Sequence, residues 1–111
     1  MSDADLKEYV AASFEHDWMS LLDIVAYFHE NADEGTDATT LLLQGAAAAA
    51  RLVRDRAMIP GDLDNGFQPW PTSAEESAAR IENEAEQLAV QGGQLDIGDI
   101  AWFTAPEDVP R

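Results

Sequence analysis

The chain has no cysteine, which excludes structural disulfides, thiol catalysis and cysteine-based zinc sites. It has one lysine, Lys7, and two histidines, His16 and His29. No apolar run approaches the roughly 20 residues that a membrane-spanning helix requires. The opening Met-Ser-Asp-Ala-Asp is acidic and lacks the apolar segment of a secretory signal. With Ser at position 2 and a Val-Pro-Arg end there is no lipidation motif. A cytoplasmic protein that does not engage a membrane is expected. Missing too are Gly-x-Ser-x-Gly, the P-loop and Gly-x-Gly-x-x-Gly. No nucleophile–base pair can be assigned, so the expectation is a non-enzymatic protein with no catalytic residue and no cofactor.

What the chain has in excess is negative charge. Asp and Glu number 22 against 6 Lys and Arg, for a net charge of −16 over 111 residues. Ten of the acids lie between Met1 and Gly45 with one Lys, and eleven between Gly61 and Arg111 with two Arg. Between these blocks lies a basic island of Arg51, Arg54 and Arg56, opposed by Asp55. Such a field repels nucleic acid and anionic lipid and attracts basic proteins over about a Debye length, roughly 10 Å. The bland counterpart is compositional: an Ala-rich, Lys-poor chain also suits a GC-rich genome or a salt-adapted cytoplasm. With 46 % apolar residues the chain is too hydrophobic for a disordered acidic tail. A single domain over 1–104 is expected, followed by a flexible tail over 105–111.

Periodicity predicts the elements. Ser2-x-x-Asp5 has the form of a capping box, and Leu6, Tyr9, Val10 and Phe14 follow on one helical face. Glu15-His16-Asp17 ends that helix, and Trp18-Met19 is a short apolar step. Ser20 to Asp23 caps a second helix with Leu21, Ile24, Val25 and Phe28 on one side. A polar turn over 31–36 leads to a third helix, capped by Thr36 or Asp37, with Leu41–Arg56 nearly all helix formers. Leu42, Ala46, Ala49 and Val53 share a face, and the Ala46–Ala50 run permits close packing. Arg51 and Asp55 have i, i+4 spacing for a pair. Met58–Trp70 reads as a hairpin turning at Asn65-Gly66, with Pro69 confining its return strand to an edge. Ser73-x-x-Glu76 starts a fourth helix lined by Ala74, Ala78, Ile81, Ala85 and Leu88, which Gly92-Gly93 ends. Ile97–Phe103 reads as a last strand. The fold class is therefore α+β and helix-rich, in winged-helix-like order: three helices, hairpin, fourth helix, final strand.

Candidate sites are few. The two histidines lack the spacing of catalytic zinc ligands and read as surface residues among acids. Asp62-x-Asp64-x-Gly66 resembles the opening of a calcium loop, but Phe67 and Ser73 stand where its sixth-position Gly and twelfth-position Glu would be needed. No metal site is assigned. Glu75, Glu82 and Glu86 share the outer side of the fourth helix, either as a solubilising face or as a binding face. Trp18, Phe67, Trp70, Trp102 and Phe103 are expected to pack around the hairpin and last strand. An aromatic exposed beside carboxylates would suit an interface anchor, and Trp70, between Pro69 and Pro71, is the first candidate. The Arg island is expected to make structural Arg–carboxylate pairs. In the first half of the third helix only Gln44 could read a base, so no nucleic acid is expected as partner.

Trp18-Met19-Ser20-Leu21, Gly61-Asp62-Leu63 with Gly66-Phe67-x-Pro69-Trp70, a Glu-rich helix through Arg80-Ile81, and Gly98-Asp99-Ile100-Ala101-Trp102-Phe103 resemble a group of small bacterial acidic proteins, some of immunity-protein type. The resemblance covers roughly residues 18–103 and rests on turn and aromatic positions, which speak to fold more than to function. It implies binding and neutralisation of a cognate toxin. The expectation is an acidic protein-binding module, an immunity protein or antitoxin that occludes a basic toxin. Asp62, Asp64, Trp70, Glu75, Glu82 and Glu86 would face the partner. The alternative is a winged-helix-type regulatory module that binds another protein or, with less support, DNA.

Overall fold

Short polar side chains set where the helices begin. The computed structural model describes residues 3–15 and 17–108. Helix α1 spans Asp3–Phe14; the Ser2 cap expected for it and His16 lie outside the described residues. A two-residue strand, β1 (Met19–Ser20), runs directly into α2 (Leu21–Asn31). There the Asp23 carboxylate accepts from the Ser20 backbone N–H at 2.9 Å and from its hydroxyl at 3.2 Å, which satisfies a donor at the helix start. Helix α3 spans Ala38–Arg54, and the Asp37 carboxylate that caps it accepts from the Thr40 N–H at 2.7 Å. That hydrogen bond holds the exposed Asp37 carboxyl below the usual carboxylate range. Helix α4 (Ala74–Val90) has the full capping box. Ser73 Oγ accepts from the Glu76 N–H at 3.1 Å, and Glu76 Oε1 accepts from the Ser73 N–H at 3.4 Å.

Small residues make α3 the axis of the fold. Leu41, Leu42, Gly45, Ala46, Ala48, Ala49, Ala50, Leu52 and Val53 are all buried, so the helix is covered on more than one side. Its most extensive packing is against α4, then α2. A Cβ at Gly45 would lie 2.7 Å from Val25 Cγ2, so this glycine permits the close α2–α3 approach. Leu6 and Val10 of α1, Ile24 of α2 and Ile81 of α4 complete the core around it.

The helix ends follow one geometry with two different residues. After α4, the Gly93 N–H donates to Leu88 O at 3.0 Å and the Gly92 N–H to Ala89 O at 3.1 Å, with Gly92 left-handed at φ 68°. This is the Schellman arrangement. After α3 the same pair of bonds runs from Ala57 to Leu52 O and from Arg56 to Val53 O, with Arg56 at φ 59°. Helix formers alone predict α3 to continue to Arg56; the left-handed cap stops it at Arg54. Asp55 Oδ2 is 3.1 Å from Lys7 Nζ, tying α1 to the end of α3.

Strands β2 (Ile59–Leu63), β3 (Phe67–Pro69) and β4 (Trp102–Thr104) join β1 in an antiparallel sheet of order β1-β4-β2-β3. The register pairs Met19 with Phe103, Gly61 with Trp102, and Leu63 with Phe67. The fold is thus α+β and helix-rich, with four α-helices and a four-stranded antiparallel sheet among the described residues. The last strand lies between β1 and the hairpin, which therefore reaches β1 only through β4. The hairpin turns at Asn65 and Gly66, both at positive φ, and β3 with its Pro69 is an edge strand. A Cβ at Gly61 would run into the Gln68 carbonyl and lie 2.7 Å from Phe67 Cζ. The Phe67 ring therefore lies over Gly61, with the Trp18 ring 6.4 Å beyond it.

The last strand is shorter than expected. Gly98 and Ile100 both have positive φ, at 84° and 69°, which an extended chain cannot accommodate. Asp99 N–H donates to Asp96 O at 3.1 Å, and Ala101 N–H to Asp99 O at 2.8 Å, closing a three-residue turn around Ile100. Strand pairing begins only at Trp102. Ala101 and Phe103 are buried, and Trp102 between them is only partly so. Beyond β4, Ala105 is buried and Pro106–Asp108 forms one 3-10 turn.

Two glycine exchanges are expected to move stability in opposite directions in urea denaturation. Gly61→Ala should cost about 1–3 kcal/mol, because the Phe67 ring and the Gln68 carbonyl must shift. Arg56→Gly should add about 0.5–1 kcal/mol, since it relieves a left-handed side-chain residue at some cost in unfolded-chain entropy. At Asp37 the expectation concerns acid. Its lowered folded pKa gives stability that is present above the unfolded-state pKa and lost as pH falls through the folded value. Asp37→Asn keeps a capping side chain and should flatten that part of the acid denaturation curve relative to the parent.

Candidate functional site

The candidate site lies where the hairpin meets α4, and cations placed there by the fold alter it. Asp62 is exposed on β2, and its Oδ2 accepts from Trp70 Nε1 at 3.2 Å. Trp70 is only 8 % exposed. The Arg80 guanidinium lies over its ring, 3.8 Å from the centroid, a cation–π contact. Arg80 Nε also donates to Glu84 Oε2 at 2.8 Å. Asp62, Trp70, Arg80 and Glu84 therefore form a continuous link from hairpin to helix. The expectation that Trp70 is a free anchor is corrected: Arg80 above and Asp62 at its edge make it a pin inside the fold. The tryptophan with substantial exposure is Trp18, at 39 %.

The α4 carboxylates divide into two groups. Arg54, on the last turn of α3, lies 3.3 Å from Glu75 Oε2 and 2.8 Å from Glu82 Oε1. Two acids of the candidate face thus share one cation, which leaves the trio with Glu86 at −2 instead of −3. Glu82 first, then Glu75, holds the Arg54 guanidinium more firmly in its charged form. Glu86 is exposed and has no ion pair among the described residues. Asp64 sits at the hairpin tip, where its carbonyl accepts from Gln68 Nε2 at 3.2 Å and its side chain is exposed.

Arg54 makes the structural Arg–carboxylate pairing expected of the basic island, but which acids it would hold was not evident from the sequence. The Arg80–Glu84 pair follows from i, i+4 spacing and was open to view. Arg54 reaches α4 across a helix interface, and neither that nor Arg80 on Trp70 has a signal in local spacing. Among the described residues, no group of three or more His, Asp or Glu is placed to hold a metal ion. Among those residues no helix is long and apolar enough to cross a membrane. No family model, curated protein or solved structure matches the chain.

Truncation of Trp70 separates its two contacts. Trp70→Ala should cost about 3–5 kcal/mol, the range for a large buried aromatic. Trp70→Phe keeps a ring under Arg80 and loses only the bond to Asp62, so it should cost about 1 kcal/mol beyond the change in ring size. Equal losses in thermal unfolding for the two variants would mean that Trp70 does not pin the hairpin through its ring.

Proposed function

We propose that the chain is a non-enzymatic, cytoplasmic, acidic protein-binding module that neutralises a basic partner by occlusion, as an immunity protein or antitoxin does. The observation that carries this reading is the net charge of −16 combined with exposed carboxylates on the hairpin and α4. Asp62, Asp64, Glu75 and Glu86 are all exposed, and Glu82 is half-buried. Opposed charge steers encounter and raises association rates by about 10–1,000-fold, falling with salt. The partner class, a toxin, follows from the motif resemblance of residues 18–103. Trp70 supports the face from below by fixing the hairpin to α4.

The order of elements keeps a regulatory module as the second reading. For a DNA-reading version the third helix would have to enter a groove. In this fold α3 is packed between α2 and α4, and its first half presents Leu43 and Gln44 but no Lys or Arg. Phosphate contacts supply most of the affinity in DNA binding, so a protein partner is the better supported form.

The test is a pull-down from the native host at low and high salt, followed by stopped-flow association with whatever protein is retained in stoichiometric amount. Charge reversal of Glu75, Glu82 and Glu86 to Lys should slow association about tenfold or more and flatten its salt dependence. Unchanged rates and salt dependence would remove this face from the interface. Recovery of only abundant basic proteins, all lost at high salt, would sink the toxin-neutralising reading itself.

A further inference from the structure

A second surface supplies the apolar anchor that the buried Trp70 does not. A groove of about 360 Å³ opens between α2, the start of α3 and the 93–95 segment, lined chiefly by Leu22, Val25, Leu41, Leu42, Leu95 and His29. That volume falls within the roughly 300–1,000 Å³ of small-ligand pockets. Its walls are mostly aliphatic. The depression of similar size on α4 is lined by Asn83, Glu86, Gln87, Val90 and Gln91 and is largely polar. α2 and α3 close tightly at Gly45 against Val25, and the small side chains of Ala26 and Ala38 are among those that line the groove nearer their connected ends.

The charge at its rim selects the occupant. The last turn of α2 carries Glu30 and the α2–α3 connector carries Asp33, Glu34 and Asp37, all exposed, on the stretch of chain that joins groove-lining His29 to groove-lining Ala38. Asp37 caps α3. Glu30, Asp33 and Glu34 have no Lys or Arg partner among the described residues, whereas Arg54 engages Glu75 and Glu82 on the other face. A second copy of the chain would bring another −16 against this rim, and an anionic ligand would meet the same repulsion. We infer that the groove seats an aliphatic or aromatic side chain from a basic protein segment whose flanking Lys and Arg face the connector carboxylates. This inference rests on the basic-partner reading and assigns that partner a different point of anchorage. An apolar residue filling a pocket, ringed by groups that exclude water, is the usual architecture of an interface hot spot.

The test uses the full chain and a synthetic amphipathic helix of leucine and lysine, with an oligolysine of equal charge as control. Titration should shift the amide resonances of residues 22–29, 41–42 and 94–95, and the peptide should displace the neutral dye Nile red from the protein. Ala26→Trp fills the groove from an exposed position and should weaken the amphipathic peptide about tenfold or more while leaving oligolysine binding unchanged. Ala38→Trp serves the same purpose should circular dichroism show that Ala26→Trp does not fold. The triple variant Glu30→Gln, Asp33→Asn, Glu34→Gln should reduce the salt dependence of peptide binding. Peptide affinity insensitive to both tryptophan variants, or dye binding that the peptide does not displace, overturns the groove assignment. If the α4 charge reversals abolish peptide binding while the groove variants keep it, the groove fails and the basic-partner reading stands. If neither set matters, both fail together.

Discussion

Everything in this fold depends on how closely α3 can be approached. A helix with Gly45 and a run of five alanines offers little side-chain volume of its own, so its neighbours must come near for the core to fill. Burial of α3 on more than one side follows from that, with Leu6, Val10, Ile24 and Ile81 supplying the bulk from outside. The exposed positions of α3 are few and lie mainly in its first half, at Thr39, Thr40, Leu43 and Gln44. Around it lie the outer side of α4 with the hairpin, and the groove between α2, the start of α3 and the 93–95 segment.

Three of the six cations are placed at junctions. Lys7 joins α1 to the end of α3, Arg54 joins α3 to α4, and Arg80 joins α4 to Trp70 and through it to the hairpin. Isolated exposed pairs contribute little to stability, but Arg54 sits between two α4 carboxylates, Glu75 and Glu82. In a chain of this charge its role is to relieve repulsion locally. The consequence is that the acidic surface is not uniform: it is partly neutralised along the Arg54 edge of α4, while Asp33 and Glu34 on the α2–α3 connector have no Lys or Arg partner among the described residues.

What could be read from the sequence was local. Caps at Ser20, Asp37 and Ser73, the Asn65-Gly66 turn, the Gly92 stop and the alanine face of α3 each lie within a few residues of their cause. What could not be read depended on distant partners or on an exception to residue preference. Arg56 occupies a left-handed cap where glycine is usual, so α3 ends two residues early. Ile100, a β-branched residue, occupies a left-handed turn, so β4 starts late. The burial of Trp70 needed Arg80, ten residues on, to lie across its ring, and the charge of Glu75 and Glu82 needed Arg54 from another helix. The candidate acids were visible as residues, while their degree of neutralisation was a property of the packing.

That packing bears on how an acidic protein of this size can hold a partner. The molecule measures 43 × 28 × 24 Å, several times the Debye length of about 8 Å at physiological salt. A partner close to one side therefore feels mainly that side, and the total charge governs only the early encounter at low salt. At contact the relevant quantities are local: whether a carboxylate already has a cation, and whether an apolar recess lies beside it. On the α4 face the carboxylates near Trp70 are tethered and the ring is covered, which favours a firm but partly neutralised surface. At the end of α2 and along the connector, Glu30, Asp33 and Glu34 have no Lys or Arg partner among the described residues, and an aliphatic recess opens between α2 and the start of α3. Steering by the whole molecule and anchorage at the connector are thus compatible, because screening separates the two in distance.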